Sequence, residues 1–315
     1  MAEDKIKITL DKLKTYPLSK RKCKVKCEDF AKPPSKGASF SDFYGSLPNI
    51  LIGADFRLVV DAVVSARSKK KPVIFMMGGH VIKCGLNPVI IELMKKKVIT
   101  AISLNGAGAI HDFEIALIGR TSEDVPDALE DGSFGMAKET ALYINGALEE
   151  AVEKDIGAGR AIGEVINDEK LPFRNQSLLY NALKEDVLAT VHIAIGTDII
   201  HQHPSFDAGA AGQASFKDFH NLTEEVAALG GGGVVLNIGS SVIMPEVFLK
   251  AINIARNLGY EVKDFTAVNF DMIQHYRPHQ NVVARPVRSG GKGYSITGHH
   301  ELMLPLLAQA VMEKL

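Results

Sequence analysis

The sequence predicts an α/β protein built on a doubly wound, mostly parallel sheet with helices on both faces. Two observations predict it. Short apolar runs recur at 72–77, 98–103, 190–195, 234–238 and 265–270, and several end in a glycine-bearing break. Between them lie longer segments with apolar faces, so the chain repeats strand, turn and helix, the pattern of a sheet covered on both sides. With 315 residues, 46% of them hydrophobic and 23% charged, the chain can bury a full core.

The elements follow in order. Residues 1–45 read as an arm, with the basic run Ser19-Lys20-Arg21-Lys22-Cys23 and the extended or turning stretch Pro33-Pro34-Ser35-Lys36-Gly37; the folded domain is expected over 46–315. A helix is expected over 55–68, where Phe56, Leu58, Val59, Ala62 and Val63 form a stripe and Lys69-Lys70-Lys71 suits the negative C-terminal end. A strand over 73–77 breaks at Gly78-Gly79-His80. Asn87-Pro88 opens a helix through 94, since proline is tolerated in a first turn. The strand 98–103 leads into a turn at Asn105-Gly106-Ala107-Gly108, with a helix opening at 112–117. Residues 120–190 read mainly helical, over 137–156, 160–165 and 177–188, punctuated by Gly132, Gly135, Gly157 and Gly159. Strands at 190–195, 234–238, 265–270 and 294–296 follow, with helices over 219–229, 245–258 and 302–312.

Composition narrows the function. The formal net charge of -1 gives no electrostatic case for a nucleic-acid partner. No apolar run reaches spanning length, and Met1-Ala2-Glu3-Asp4-Lys5 shows no signal-like segment, so a cytoplasmic protein without a membrane partner is expected. Cys23, Cys27 and Cys84 fit a reducing compartment. No metal is expected: Cys23 and Cys27 lack a second pair nearby, and Asp198, His201, His203 and Asp207 do not follow an established zinc spacing.

Candidate site residues gather at the strand ends, where open α/β sheets hold ligands. Gly78 and Gly79 let backbone approach a ligand closely. In Asn105-Gly106-Ala107-Gly108-Ala109-Ile110-His111-Asp112 the glycines can pass under a ribose or pyrophosphate. Asp112 there accepts from hydroxyls or caps a helix, and His111 has the pKa range of an acid–base group. Asp198, His201 and His203 form a polar loop after a strand, read as touching substrate. Asn237, Asn269 and Asp271 stand at later strand ends as ligand contacts or loop closers. Arg285 and Lys292 lie in a glycine-rich turn able to seat anions. Neither a G-x-S-x-G elbow nor a Walker A motif is present.

Over roughly residues 45–315 the chain resembles the deoxyhypusine synthase family. Phe75-Met76-Met77-Gly78-Gly79-His80-Val81-Ile82-Lys83-Cys84-Gly85 resembles that family's early nucleotide-contacting turn, and Val98 through Asp112 its valine-rich strand and small-residue turn. Thr197-Asp198 falls near its Thr-Asp-Gly loop, Val234 through Leu258 resembles its late glycine-led strand and helix, and Leu302 through Ala310 its terminal helix. The resemblance implies a Rossmann-like, NAD-binding catalytic domain, a homotetramer, and NAD contact at Gly78, Gly79, Asn105, Gly106, Ala107 and Asp112. Around that chemistry, the residues themselves lead us to expect catalytic roles for His111, Asp198 and His201, and substrate contact at His203, Asn237, Asn269, Asp271 and Arg285. The family's nucleophilic lysine falls near Arg285 or Pro286, and an arginine does not form the imine intermediate, which leaves Lys292 as the displaced candidate. The family's late histidine is replaced by Ser241-Val242-Ile243-Met244-Pro245. The expectation is therefore an NAD-dependent enzyme acting on a small amine or polar metabolite, not an authentic deoxyhypusine synthase with a protein substrate. An unrelated chemistry in the same pocket and a catalytically silent binding protein remain as alternatives.

Overall fold

The computed structural model describes residues 6–315; the first five, on which the absence of a signal-like segment was judged, lie outside them. The chain divides into two compact units, Met1–Ala54 and Asp55–Leu315. In the first, three single 3-10 turns precede α1 (Phe40–Ser46), whose Ser39 and Asp42 form a reciprocal capping box.

The second unit holds six strands, β1 (Val73–Met77), β2 (Ala101–Asn105), β3 (Leu188–His192), β4 (Val234–Ile238), β5 (Thr266–Asp271) and β6 (Lys292–Thr297). They lie in the order β3-β2-β1-β4-β5-β6 and every pair is parallel. The order reverses between β1 and β4, so their C-terminal ends define the switch point at which a doubly wound sheet opens a crevice. Both strands are buried along their whole length, as their apolar residues require, with Asn237 of β4 the one polar side chain among them.

The helices are α2 (Leu51–Ser68), α3 (Gly79–Lys83), α4 (Asn87–Lys95), α5 (Gly106–Ile118), α6 (Val125–Asp131), α7 (Lys138–Glu153), α8 (Ala158–Asp168), α9 (Leu178–Lys184), α10 (Ala208–Ala227), α11 (Ile243–Asn257), the single turn α12 (Tyr276–Pro278) and α13 (His300–Met312). One layer of the core joins β1, β4 and β5 to α10 and α11 through Met76, Val235, Ala267, Leu222, Phe248 and Phe265. Among the described residues no helix is long and apolar enough to cross a membrane.

Several boundaries differ from the sequence expectation. The Asn105–Gly108 turn is instead the start of a helix: Asn105 is the N-cap of α5 and its side chain accepts from the Gly108 N–H at 2.9 Å. A strand continuing through 195 does not form, because the Ile193 N–H donates to Ser215 Oγ at 2.9 Å and the chain turns away. α10 starts eleven residues before the expected 219, where Asp207 caps the N–H groups of Gly209 and Ala210. Helix α6 lies in the stretch read as mainly helical but outside the three helices placed there, and the 3-10 turn at Ile199–Gln202 was not expected.

β3 is an edge strand, and its outer side is sealed by side chains. Asp218 on α10 accepts from the Val191 N–H and the Gly159 N–H, both at 2.8 Å, while Ser215 donates back to Val191 O. Gly159 is required here, since a Cβ would overlap the Ala189 carbonyl. Inside the strand His192 is buried; Thr190 donates to Ser103 at 2.7 Å and so accepts from His192 Nε2–H at 3.0 Å. Burial pushes the His192 pKa down to about 3. A depressed folded-state pKa means that the unfolded chain binds the proton first, so this contribution is present above about pH 6.5 and lost as pH falls. We expect His192→Gln to remove that dependence: the urea stability of the wild type relative to the variant declines by about 2 kcal/mol on acidification from about pH 6.5 to 4.5. A constant difference across that range refutes the assignment.

Candidate functional site

The C-terminal ends of β2 and β3 open on a crevice of about 470 Å³, lined among others by Lys83, Ala107, His111, Glu114, Arg120, Thr121 and Asp198. That volume suits a metabolite-sized ligand. Helix α5 supplies one wall, the 3-10 turn after β3 a second, and the segment between α5 and α7 the third, with Val125 and Phe134 facing inward.

His111 and Glu114 stand three residues apart on one face of α5. Thr121 links them. Its hydroxyl donates to Glu114 Oε2 in a very short contact and therefore accepts from His111 Nδ1, 2.7 Å away. Thr140 donates to the other Glu114 oxygen at 3.2 Å. Burial raises the Glu114 pKa, but the bonds from His111, Thr121 and Thr140 outweigh it and hold the group below the usual carboxylate range. With Nδ1–H committed to Thr121, Nε2 is the ring nitrogen left for proton transfer.

Asp198 sits over the first turn of α5. Its carboxylate takes the Ala107 N–H, and a Cβ on Gly106 would overlap Oδ2. Burial pushes its pKa up to about 6 against the pull of that N–H. His201 Nδ1 accepts from the N–H groups of Gly196 (3.0 Å) and Asp198 (3.2 Å), which leaves the ring proton on Nε2, 4.0 Å from Asp198 Oδ2. Both side chains are 5% exposed, and neither Asp198 Oδ2 nor His201 Nε2 has a partner. Burial lowers the His201 pKa, so this imidazole is neutral near pH 7.

The structure thus brings Ala107, His111 and Asp198 to one crevice, with His201 behind Asp198. Gly79 adjoins them: a Cβ there would lie 2.9 Å from His111 Cδ2. Gly78 and Gly106 serve close approach within the chain, to Gly239 O and Asp198 respectively, and the Asn105 side chain is spent on capping α5. Asp112 points away from the crevice. It is fully buried and accepts from Asn87 Nδ2 (3.0 Å), Ser177 Oγ (2.6 Å), Leu178 N (2.7 Å) and Leu179 N (3.0 Å), so no lone pair is left for a ribose. Burial pushes its pKa up to about 6, although all four donors oppose the rise.

The remaining candidates lie elsewhere. His203 donates from Nε2 to Gly135 O at 2.8 Å and ties the turn after β3 to the segment opposite. Asn237 and Asn269 are cross-strand partners, joined at 2.7 Å and wholly buried. Asp271 ends β5 and faces the buried ring of His300. Arg285 is committed to Asn281 Oδ1 (2.9 Å) and Tyr276 OH (3.1 Å). Lys292 is the first residue of β6, paired with the first residue of β5. It therefore stands at the N-terminal edge of the sheet, about 16 Å of strand from the end that opens on ligands.

Sequence reasoning missed Lys83, Glu114, Arg120, Thr121 and His300. The i, i+3 spacing of His111 and Glu114 was the available signal for one of them. His300 lies at the β1–β4 switch point: a Cβ on Gly239, at φ 65°, would lie 2.7 Å from its Nε2. Its Nδ1 and the nearby strand-end Asn237 Oδ1 are buried without partners. Among the described residues no group of three or more His, Cys, Asp and Glu side chains is placed to hold a metal.

No protein-family model matches the sequence, and no curated protein matches it. Solved structures do share the fold. A conserved putative LOR/SDH protein from Methanococcus maripaludis S2 aligns with a TM-score of 0.50 and 15% identity, covering 90% of this chain and 73% of that one. A putative deoxyhypusine synthase from Entamoeba histolytica aligns at 0.53 and 12%, covering 88% and 94%. AgrE, solved in a ternary complex with ornithine and NAD+, aligns at 0.50 and 13%, and there the chain, 84% covered, spans 33% of the longer protein. At these identities the likeness is one of fold: a doubly wound α/β sheet flanked by helices.

Proposed function

We propose that this protein is an NAD-dependent enzyme that oxidises, or transfers a group from, a small amine or polar metabolite held in the crevice beside α5. The observation that carries the reading is the Glu114–Thr121–His111 chain, which holds the His111 imidazole by Nδ1 at the wall of that crevice. Removing a hydride from a carbon that bears nitrogen requires a base for the nitrogen's proton, and in this reading the His111 imidazole is that base. As the proton arrives, imidazolium charge is met by ionised Glu114 through Thr121, without reorganisation of either partner.

The residues present fit a dinucleotide at the switch point. His300 Nδ1 and Asn237 Oδ1 are orphaned there, beside the Gly78 and Gly239 backbones, and the strand order reverses at that place. Gly78, Gly79, Asn237 and His300 would hold the cofactor, and NAD when bound supplies the hydride acceptor. Gly79 touches both regions, since its own α-carbon abuts His111. Support for the cofactor also comes from the fold shared with AgrE, whose structure contains NAD+ and ornithine. We also propose a homotetramer, as the family resemblance implies.

Native mass spectrometry of the purified chain with and without NAD tests this. A mass increase of one NAD per subunit, weakened by His300→Ala, is expected, and the same spectra read the assembly. Absence of any NAD-dependent shift, with the assembly preserved, overturns the reading.

A further inference from the structure

We propose that the ligand of the crevice is a zwitterion, an amino acid with a second polar end, and not a polyamine. The proposal rests on the reading above that this crevice binds substrate, and it names the substrate class. The charges lining the crevice are sorted by depth. Lys83 and Arg120 are exposed, and no carboxylate pairs with either among the described residues. Glu114 and Asp198 lie at the floor, their side chains 16% and 5% exposed. His111 lies at the depth of Glu114, 15% exposed. The remaining charged group, Glu123, is turned back onto its own segment, where it accepts the Gly135 N–H at 2.9 Å.

Each simple ligand class meets this arrangement differently. A polyamine, cationic at every nitrogen, would satisfy Glu114 and Asp198 but leave positive charge beside two unpaired cations at the mouth. A dicarboxylate would satisfy the mouth and set its second anion against the floor. A molecule with a carboxylate at one end and an ammonium at the other satisfies both, and its orientation follows: carboxylate to Lys83 and Arg120, amine to the floor. That orientation puts the nitrogen-bearing carbon next to His111, where the base is needed. The mouth cations then act as selectors, because they oppose the wrong ligand as well as attract the right one.

Ornithine and putrescine form a matched pair of probes, differing by one carboxylate. In isothermal titration calorimetry of the full chain, with NAD present and absent, ornithine should bind about tenfold or more tightly than putrescine, the worth of one or two exposed ion pairs. The double variant Lys83→Gln/Arg120→Gln should erase the gap by weakening ornithine alone, and Lys83→Arg/Arg120→Lys should retain it. Both variants change exposed side chains, and their circular dichroism melts verify folding. Putrescine binding as tightly as ornithine, a gap that survives the glutamine variants, or no heat from either probe overturns the proposal. NAD binding in the same samples is read separately, so loss of the amino-acid site is distinguishable from failure of the cofactor reading.

Discussion

Replacing Asp218 with alanine should lower the unfolding free energy by about 4 kcal/mol and the melting temperature by roughly 10 °C. The side chain is completely buried and serves two elements at once: it accepts the Gly159 N–H at the start of α8 and the Val191 N–H on the outer side of β3. Alanine leaves both donors without water or partner, and each such group costs about 1–3 kcal/mol. The cavity adds to that cost. The loss should also depend on pH. Burial pushes the Asp218 pKa up to about 7, although the Gly159 and Val191 N–H groups pull it back. A raised folded-state value means that the folded chain holds the proton more tightly. The advantage of the wild type is therefore greatest in acid and shrinks as pH rises through about 7, by about 2 kcal/mol. Urea titrations across this range check both parts; a loss under about 1 kcal/mol would show that solvent reaches these N–H groups.

His111→Gln should reduce turnover about a thousandfold while leaving the substrate KM within a few fold, as expected when a general base is removed and the pocket is kept. Glutamine fills similar space and can still donate to Thr121, but it cannot take a proton. Thr121→Val, nearly isosteric, should cut turnover about tenfold or more by separating His111 from Glu114. The readout is NADH formation with the tightest-binding amine, with stopped-time assays to separate chemistry from product release. If His111→Gln retains more than about a tenth of wild-type turnover, the base lies elsewhere.

Much of the fold was legible because buried parallel strands carry an unmistakable composition. β1 and β4 fell on their expected residues, since every position is apolar or buried. β3 was displaced because its apolar run continues beyond the point where Ser215 captures the Ile193 N–H, a contact set by a helix 22 residues away. α5 was read as starting late because Gly-Ala-Gly lowers helix propensity. In the structure Gly106 is needed for a tertiary reason, room for the Asp198 carboxylate. The site was legible only in part. His111 and Asp198 drew notice as titratable residues that follow the β2 and β3 runs, and the structure places them in α5 and in the loop after β3. Asp112 was assigned to a ligand because its position matches a familiar turn, yet one residue along a helix is a rotation of about 100°, enough to turn it off the crevice-lining face of His111. Lys83 and Arg120 carry no local signature, since an exposed cation in sequence looks the same whether or not a crevice lies beneath it.

That inward-facing Asp112 gives the crevice one stationary wall. Its four hydrogen bonds fasten α5 from behind to α4 and to the first turn of α9, and the Asn105 cap holds the helix at its start. The opposite wall, residues 119–137, is fastened differently: Thr121 meets α5, and Gly135 meets His203. Thr121 therefore belongs to both walls at once, so the contact that joins His111 to Glu114 is also the one that seats the outer wall on the helix.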